Sequence, residues 1–394
     1  MKRKVLFIME TLGGGGAEKV LIETLKRLDF SKYAITLLLL RREGVYLSQV
    51  PKNVTVEFLL PTEPSGFFQR RIFFSIKKRW WKFVINNKFL ASIVLNERYD
   101  VGIAFLEGDS SLLLSHLNSV VRKIAWVHID LLCHKILSRK VERTVYKEMD
   151  NIVCVSKGAQ HALLKLYPEV KPYTQVVYNP VDIEGIMRRS HEPITSEGKI
   201  KVIAIGRLCN AQKGFDILLA AHKINIDAGA KYHLTILGEG DDRAELESFV
   251  NINNIGDSTK LLGFQENPYP YLADSDLFVM SSHYEGYPVV LVEAMALGKA
   301  IVSTNCTGPN EALDCGKYGV LVPVGDANAL ALAIRQMIEN KKMLSTYSSL
   351  SKERAKIFNL RESMRQIEQL LDGDSKHPSS CAIHSSIFNG GRAT

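Results

Sequence analysis

Two basic residues in the second half of the chain have the types and spacing needed to hold a diphosphate. Arg207 follows an apolar run that ends in Gly206, and Lys213 comes six residues later, directly before Gly214. An arginine offers a planar fork of N–H donors and a lysine offers a point charge, so together they can clamp and neutralise a phosphate group. Two solvated basic residues on a loop would show the same spacing, and the spacing alone leaves both interpretations open.

Two glutamates further along the chain could bind sugar hydroxyls. Glu285 precedes a predicted helix that begins near Pro288, and Glu293 stands eight residues after Glu285, inside that helix. Carboxylates at such positions can accept hydrogen bonds from hydroxyl groups, which is how a ribose is commonly held. The alternative is a pair of ordinary exposed charges, because the helix dipole favours a carboxylate near a helix start in any case.

A run of four glycines, Gly13 to Gly16, follows the first apolar segment and opens a predicted helix. Glycines let backbone N–H groups approach a ligand closely, and a helix N-terminus favours an anion. The run differs from a dinucleotide-binding fingerprint, because the second predicted strand leads into two arginines where an acidic residue would be expected. Taken alone, the run is also compatible with a tight turn.

These residues lie among alternating apolar runs and amphipathic segments, the pattern of doubly wound parallel α/β sheets. In the first half, strands are predicted at Val5–Met9, Ala34–Leu40, Val54–Leu59, Val101–Phe105, Lys123–Val127 and Ile152–Val155, and helices at Ala17–Leu28, Trp81–Glu97, Ser110–Leu117, Val141–Met149 and Gly158–Tyr167. In the second half, strands are predicted at Lys201–Ile205, His233–Leu237, Lys260–Leu262, Leu277–Met280, Ala300–Thr304 and Gly319–Pro323, and helices at Phe215–Asp227, Asp241–Asn251, Val289–Leu297 and Ala327–Asn340.

The change of pattern between the halves predicts two domains. Asn179–Lys199 lacks periodicity and is the predicted linker, so the domains are expected at residues 1–185 and 186–372, with a disordered tail at 373–394. Ligands of doubly wound sheets bind at the carboxyl ends of the strands. The cleft between the two domains is therefore the expected site.

Together and in this order, the motifs resemble those of glycosyltransferase family 4, retaining enzymes of group 1 type with the GT-B fold. The resemblance is carried by Gly13–Glu18, Asn179-Pro180-Val181-Asp182, Gly206-Arg207 with Gln212-Lys213-Gly214, Leu237-Gly238-Glu239-Gly240, Gly263-Phe264 and Glu285 through Gly298. Each segment alone is common, but the two glutamates combined with the upstream basic pair are specific to this family. The resemblance implies two facing Rossmann-like domains, the first for the acceptor and the second for a nucleotide-sugar donor.

The resemblance also implies roles for individual residues. Arg207 and Lys213 would hold and neutralise the leaving diphosphate, Glu293 would bind the ribose, and Glu285 would lie near the transferred sugar. His128, at the end of a predicted strand, is implied to lie near the sugar and completes the predicted catalytic set, although a structural role is the alternative for a lone histidine. The other predicted donor contacts are Gly15, Gly16, Gly263, Phe264, Tyr287, Pro288 and Val289, with Ser156 as a secondary candidate.

The net charge of +8 is unevenly divided along the chain. Residues 1–190 carry 30 Lys and Arg against 18 Asp and Glu, whereas the remainder carries 20 against 24. Much of the excess lies in residues 69–83, where basic and aromatic residues alternate as they do in segments that lie on anionic lipid. The predicted membrane contacts are Arg70, Arg71, Lys77, Lys78, Arg79, Trp80, Trp81 and Lys82. A helix that packs its aromatic side chains in the core has the same composition, and so does a nucleic-acid-binding segment, which no accompanying motif supports.

Composition excludes several other classes of protein. An apolar fraction of 46% with 23% charged residues excludes a disordered chain, and six cysteines without a C-x-x-C pair argue against a disulfide scaffold or a zinc site. Asp274 and Asp276 have the spacing of a metal-binding pair but precede a strand, so they are interpreted as a helix end and a solvated turn. No metal cofactor is expected, because Arg207 and Lys213 can neutralise the diphosphate. No apolar run is long enough to cross a membrane, so the protein is expected in the cytoplasm, peripheral on the inner face of the cytoplasmic membrane.

We therefore expect a retaining glycosyltransferase that moves a hexose or N-acetylhexosamine from a nucleotide diphosphate sugar, expected to be a UDP-sugar, to a lipid-linked saccharide. The pathway class expected is bacterial surface polysaccharide biosynthesis (capsule, O-antigen or exopolysaccharide), and the expected partners are the donor, the lipid-linked acceptor and an anionic membrane surface, without nucleic acid. Two alternatives stay open. A nucleotide-sugar epimerase of similar fold would need further acid/base carboxylates in the cleft, and a non-catalytic membrane-associated assembly partner would have no need of the intact charged set.

Overall fold

The computed structural model describes residues 1–59, 81–93, 95, 97–192 and 200–373. The first sheet has seven parallel strands in the order β3-β2-β1-β4-β5-β6-β7. Its strands are β1 Arg3–Met9, β2 Tyr33–Leu39, β3 Thr55–Phe58, β4 Tyr99–Ala104, β5 Val120–Val127, β6 Asn151–Cys154 and β7 Thr174–Val176. The second sheet has six parallel strands in the order β10-β9-β8-β11-β12-β13. Its strands are β8 Ile200–Ile205, β9 Tyr232–Leu237, β10 Thr259–Gly263, β11 Leu277–Met280, β12 Ala300–Thr304 and β13 Val320–Val322.

Helices cover both faces of each sheet. In the first domain they are α1 Gly16–Leu25, α2 Lys88–Ser92, α3 Asp109–His116, α4 Arg139–Lys147 and α5 Lys157–Leu166, followed by α6 Ile183–Arg189. In the second part they are α7 Asn210–Lys213, α8 Phe215–Asp227, α9 Arg243–Ile252, α10 Tyr269–Asp274, α11 Val289–Ala296, α12 Thr307–Ala312, α13 Ala327–Glu339, α14 Lys341–Ala355 and α15 Leu360–Asp372. Short 3-10 turns lie at Leu47–Gln49, Pro168–Tyr173 and Gly256–Ser258, and residues 81–86 are also helical.

The central strands explain why this chain forms two covered parallel sheets. Val5 through Met9 of β1 are all fully buried, so both faces of the strand pack against helices, as a continuous apolar run requires. In each sheet the strand order reverses beside the first strand, between β1 and β4 and between β8 and β11. Ligands of such sheets bind outside the carboxyl ends of the strands at that point. The predicted α/β class with two doubly wound domains is confirmed.

Several predicted elements differ from the structure. The helix predicted over Trp81–Glu97 breaks at Asn87, whose side chain accepts hydrogen bonds from two backbone N–H groups and caps α2. The predicted linker contains α6, which Asp182 caps through a hydrogen bond from the backbone of Gly185. Asp274 is confirmed as a helix end, but it forms an ion pair with Lys201 at 2.8 Å. Elements without any predicted counterpart are β7, α6, α7, α10, α12, α14 and α15.

The last helix returns to the first domain. The carbonyl oxygens of Leu370 and Leu371 in α15 accept hydrogen bonds from Arg122 and Arg3, respectively, each at 2.6 Å. Asp372 accepts a hydrogen bond from Tyr33 at 2.8 Å. The sequence division placed residues 186–372 together in the second domain. The apolar face of α15 packs in a hydrophobic cluster that contains β1 as well as second-domain residues such as Leu291 and Met295, so α15 contacts both domains and the division stays a prediction. The predicted tail at 373–394 lies outside the described residues from residue 374 onward.

Candidate active site

The candidate site lies where the carboxyl ends of the two sheets meet. The glycine loop follows β1, Arg207 follows β8, and Glu285 follows β11. Gly15 and Arg207 come from different domains, yet a Cβ placed on Gly15 would lie 2.5 Å from Nη2 of Arg207. The structure therefore brings the three predicted motifs to one cleft.

The glycine loop is crowded at Gly15 and open at Gly16. Gly15 is the extended residue directly before α1, and an added Cβ would overlap Oε2 of Glu18 as well as crowd Arg207. Gly14 has φ of +100°, a conformation that favours glycine, and a Cβ added to it would lie 3.7 Å from Cε2 of Phe264. A Cβ on Gly16 would meet no atom within 4 Å. Of the two predicted loop residues, Gly15 is thus the one whose missing side chain makes room for a site residue.

The predicted basic pair makes two separate ion pairs. Arg207 Nη2 lies 3.2 Å from Oε1 of Glu18, across the domain boundary, and about half of the Arg207 side chain is exposed. Lys213 Nζ lies 2.5 Å from Oε1 of Glu285, and both side chains are largely buried. Ser282 donates a hydrogen bond to the same oxygen of Glu285 at 2.8 Å. Arg207 therefore pairs across the domain boundary, whereas Lys213 pairs with a glutamate of its own domain.

Lys213 depends on a glycine for its position. It ends α7, and Gly214 follows in the left-handed region with φ of +60°. A Cβ on Gly214 would overlap the carbonyl oxygen of Ser281, so a larger residue does not fit at this position. Ser281 in turn donates a hydrogen bond to the Lys213 carbonyl at 2.9 Å. This close packing holds the Lys213 backbone against Ser281, the residue directly after β11.

Glu293 is buried in the cleft and has partners from both domains. It belongs to α11, which begins directly after Pro288, and its side chain is only 4% exposed. Lys19 of α1 donates a hydrogen bond to Oε1 of Glu293 at 2.5 Å, and Tyr269 donates to the same oxygen at 3.1 Å. Neither Lys19 nor Tyr269 was predicted as a site residue.

The residues predicted on the base side lie beside the glycine loop. Gly263 ends β10 with φ of +75°, where a Cβ would lie 2.7 Å from Oε1 of Glu239. Phe264 follows, and its ring packs edge-on against Tyr46 of the first domain with centroids 6.1 Å apart. The structure thus brings Phe264 to the cleft as expected.

The segment Tyr287 to Val289 divides between core and cleft. Tyr287 is 6% exposed and its ring lies against Tyr178, with centroids 5.4 Å apart, so burial raises its pKa well above the ordinary value. Pro288 is the residue directly before α11. Val289 lines a small pocket together with Lys19 and Glu293. The Tyr287 side chain is thus a core residue, and the backbone role that the resemblance implies stays a prediction.

His128 faces the second domain from the end of β5. Its backbone N–H donates to Oε2 of Glu107 at 2.9 Å, and its ring lies beside Phe105 with centroids 5.2 Å apart. Burial lowers the pKa of the imidazole to about 3, so the ring is neutral at physiological pH. Its Nε2 atom is buried without a hydrogen-bond partner among the described residues. Gly286 packs on the His128 carbonyl so closely that a Cβ would overlap it.

Ser156, the secondary candidate, acts between the domains. Its hydroxyl caps α5 by accepting from Ala159 and donates to the Gly286 carbonyl at 2.8 Å. Nearby, the Glu311 carboxylate of α12 accepts from the backbone N–H groups of Lys157 and Gly158 at 3.0 and 2.8 Å. Ser156 therefore contacts the glycine of the Glu285 loop as part of a polar interface between the two domains.

The predicted membrane segment lies mostly outside the described residues, including Arg70, Arg71, Lys77, Lys78, Arg79 and Trp80. Lys82 is exposed, and so is Phe83. Trp81 was predicted to face a membrane, and this is wrong: its side chain is 8% exposed and packs in the core with Ile85 and Leu95. A helix with one apolar face buries every third or fourth residue, which composition alone does not reveal.

In the part of the chain that the structure describes, no three His, Cys, Asp or Glu side chains are grouped as metal ligands would be. Within the same ranges, every helix is too short or too polar to span a bilayer. The residues that sequence reasoning missed are Glu18, Lys19, Tyr269 and Ser282. Glu18 and Lys19 stand two and three residues after the glycine run, but the partners of both lie in the other domain, and no local sequence pattern indicates this.

Two family models match the chain, one on each side of the predicted linker. The model described as Glycosyltransferase Family 4 matches residues 14–184, which include the glycine loop and His128. The model described as Glycosyl transferases group 1 matches residues 199–340, which include Arg207, Lys213 and both glutamates.

Curated relatives match over much of the chain. A Campylobacter jejuni protein named N-acetylgalactosamine-N,N'-diacetylbacillosaminyl-diphospho-undecaprenol 4-alpha-N-acetylgalactosaminyltransferase is 27% identical over 367 residues, which cover 91% of this chain and 96% of that protein. An amylovoran biosynthesis glycosyltransferase of Erwinia amylovora is 31% identical over 193 residues, or 46% of this chain and 45% of that protein.

Solved structures share the fold over nearly the whole chain. HepE of Anabaena in complex with UDP and glucose superposes with a TM-score of 0.72 at 20% identity, covering 94% of this chain and 99% of that one. A TarM variant of S. aureus with bound UDP superposes with a TM-score of 0.73 at 12% identity, covering 94% and 100%. The expected GT-B arrangement of two Rossmann-like domains is confirmed.

Proposed function

The chain belongs to glycosyltransferase family 4, and on that premise we propose that it moves a hexose or N-acetylhexosamine from a UDP-sugar to a lipid-linked saccharide, with retention at the anomeric carbon. The acceptor class is supported by the name of the C. jejuni relative, which specifies a diphospho-undecaprenol-linked saccharide. The role in bacterial surface polysaccharide biosynthesis is supported by the E. amylovora relative. The choice of uridine is supported by the UDP bound to HepE.

The convergence of Arg207, Lys213, Glu285 and Glu293 on one cleft carries this proposal. Two cations suit a diphosphate, and two buried carboxylates suit the hydroxyls of a ribose and a sugar. In the structure each of the four is engaged with an opposite charge. A donor would bring its phosphate oxygens to Arg207 and Lys213 and its hydroxyl groups to the two glutamates, whose buried carboxylates need such hydrogen bonds.

The proposed chemistry is a displacement on one face of the donor sugar. The bond between the anomeric carbon and the diphosphate oxygen breaks, and the acceptor hydroxyl oxygen bonds to the same face of that carbon. The hydroxyl proton passes to the departing diphosphate oxygen. Arg207 and Lys213 stabilise the negative charge that develops on the diphosphate, in place of a metal ion. The neutral ring of His128 offers its unpartnered Nε2 to a hydroxyl of the transferred sugar.

The first domain would meet the membrane that holds the acceptor. Residues 69–83 carry the basic and aromatic side chains of an interfacial segment, and exposed Lys82 and Phe83 continue that character into the described helix. Each Lys or Arg near an anionic surface contributes about 1 kcal/mol. A protein bound in this way would work as a peripheral enzyme on the cytoplasmic face of the membrane.

The test is a donor screen with a lipid-linked acceptor mixture, read by product mass, with and without EDTA. We expect a product one sugar heavier from a UDP-sugar, formed equally well in EDTA. Arg207→Ala should abolish turnover, and Glu293→Ala should weaken UDP binding in calorimetry. Calorimetry with UDP, GDP and ADP that detects no binding would contradict the proposal. Conversion of the donor without acceptor would favour an epimerase, and vesicle binding without any turnover would favour an assembly partner.

A further inference from the structure

Lys19 is the residue of the cleft whose placement the proposed reaction leaves unexplained. It is the fourth residue of α1, next to Glu18, and its ammonium reaches Glu293 of the other domain. The Nζ atom also lies 4.9 Å from the centre of the Tyr269 ring, within cation–π range. The Lys19 side chain is 23% exposed and that of Glu293 is 4% exposed. The two side chains thus form a largely buried ion pair between α1 of the first domain and α11 of the second.

The hydrogen bonds to Glu293 are made on one side of its carboxylate. Both the Lys19 ammonium and the Tyr269 hydroxyl donate to Oε1. A carboxylate fixed at one oxygen loses the free rotation of its last torsion, which is otherwise broad. The other oxygen, Oε2, then points in one defined direction and can accept from hydroxyl groups of a ligand.

We propose that Lys19 is a positioning residue of the donor site, which holds Oε1 of Glu293 so that Oε2 meets the ribose hydroxyls of the bound nucleotide. This rests on the proposed function, in which Glu293 binds that ribose. Because Lys19 belongs to the first domain, the ribose contact is complete only when α1 lies against α11. Lys19 thus makes recognition of the ribose depend on the closed arrangement of the two domains.

The electrostatics of the pair support this role. Burial alone would lower the pKa of the Lys19 ammonium, but Glu293, Tyr269 and Tyr46 together raise it above the ordinary value, so the cation persists throughout the physiological range. A carboxylate as buried as Glu293 is costly without a charged partner. Removal of Lys19 would therefore both free the carboxylate to rotate and leave it without its counter-charge.

The experiment compares UDP with 2′,3′-dideoxy-UDP in calorimetry, on wild type and on Lys19→Met. Wild type should bind UDP more tightly, because only UDP offers hydroxyls to Glu293. Lys19→Met should lose about tenfold in affinity for UDP, which corresponds to about 1.4 kcal/mol, and little for the dideoxy nucleotide. The preference for ribose should therefore collapse. A residue that only clamps the domains would weaken both ligands equally, and such an equal loss would overturn the proposal.

Further variants separate this role from folding. Lys19→Arg keeps the charge and should keep the preference for UDP. Lys19→Gln keeps a hydrogen-bond donor and gives a second measurement where the methionine variant unfolds; it should reduce the preference in part. Lys26→Met is the matched control, because Lys26 pairs with Glu23 inside the first domain and is 39% exposed. An unchanged ribose preference in folded Lys19→Met and Lys19→Gln overturns the inference, whereas wild type that binds no nucleoside diphosphate overturns the proposed function itself.

Discussion

At the scale of single residues, the two glycines that open α1 differ in the room around them. Ala at Gly15 would meet the ends of two flexible side chains, Glu18 and Arg207, which can move aside at little cost to folding. Those ends are the charged atoms of the site, however. We therefore expect Gly15→Ala to change the melting temperature little but to raise the donor KM by about tenfold, through displacement of Arg207.

Steady-state kinetics at varied donor concentration, together with thermal melts, check this prediction. Gly16→Ala is the comparison, since a Cβ there meets no atom within 4 Å. It should raise the donor KM much less than Gly15→Ala does. Equal effects of the two changes would mean that the crowding at Gly15 has no functional consequence.

A second residue-scale prediction concerns Glu107, which supports the backbone of His128. Burial raises the pKa of its carboxyl to about 7, and the nearby Glu142 and Glu10 add to that effect, against hydrogen bonds from the His128 and Glu107 backbones. The pKa of Glu107 is higher in the folded protein than in the unfolded chain. Its contribution to the free energy of unfolding is therefore fully present below pH ~4.3 and is lost as the pH rises through 7.

Glu107→Gln removes this loss while it keeps an oxygen for the His128 N–H. Relative to wild type, the melting temperature of Glu107→Gln should therefore rise by a few degrees when the pH is raised from 5 to 8. The lowered pKa of His128 acts in the opposite direction, but it is present in both proteins and cancels in the difference. Thermal melts at matched ionic strength measure the difference, and a flat profile would show that the Glu107 carboxyl is not shifted.

At the scale of elements, the end of α7 depends on the left-handed conformation of Gly214. Gly229 has a similar positive φ of +82° but nothing within 4 Å of an added Cβ. Gly229→Ala should thus cost only backbone strain, about 1 kcal/mol, without effect on the donor KM. Gly214→Ala adds an overlap with the backbone of Ser281, so it should cost several kcal/mol more and raise the donor KM as Lys213 moves. Chemical denaturation and donor kinetics on both variants provide the test.

Elements and site residues were predictable from sequence to different degrees, for physical reasons. The buried strands, such as Leu277–Met280 and Ala300–Thr304, were predicted with their observed bounds because a strand covered on both faces is a continuous apolar run. The helices α10 and α12 were missed because they have six residues each and contain proline or glycine. Arg207, Lys213 and the two glutamates were predictable because their residue types and spacing are visible in the local sequence. Lys19 was missed because its importance depends on a partner 274 residues away.

At the scale of the whole molecule, the two domains are joined by polar contacts as well as by apolar packing. The Glu311 carboxylate binds the N-terminus of α5, and the Tyr178 hydroxyl donates to the same carboxylate at 2.7 Å. At the start of the same helix, α12, Thr307 donates to Asp130 at 2.5 Å. Polar contacts of this kind can be made and broken with little change in buried apolar surface, as relative motion of two domains requires.

The helix α15 joins the domains through apolar packing, in contrast to these polar contacts. Met364, Ile367, Leu370 and Leu371 pack in the cluster that contains β1, and each fully buried side chain of this kind contributes about 1.5–3 kcal/mol. Truncation after Phe358 should therefore lower the melting temperature strongly and expose an apolar face that promotes aggregation.

Truncation after Gly373 is the matched control, because it keeps Asp372 and its bond with Tyr33, and should leave the melting temperature and the donor KM unchanged. Equal stability of the two truncated proteins would show that α15 contributes nothing to the first domain, and equal loss would show that residues 374–394 are needed for folding.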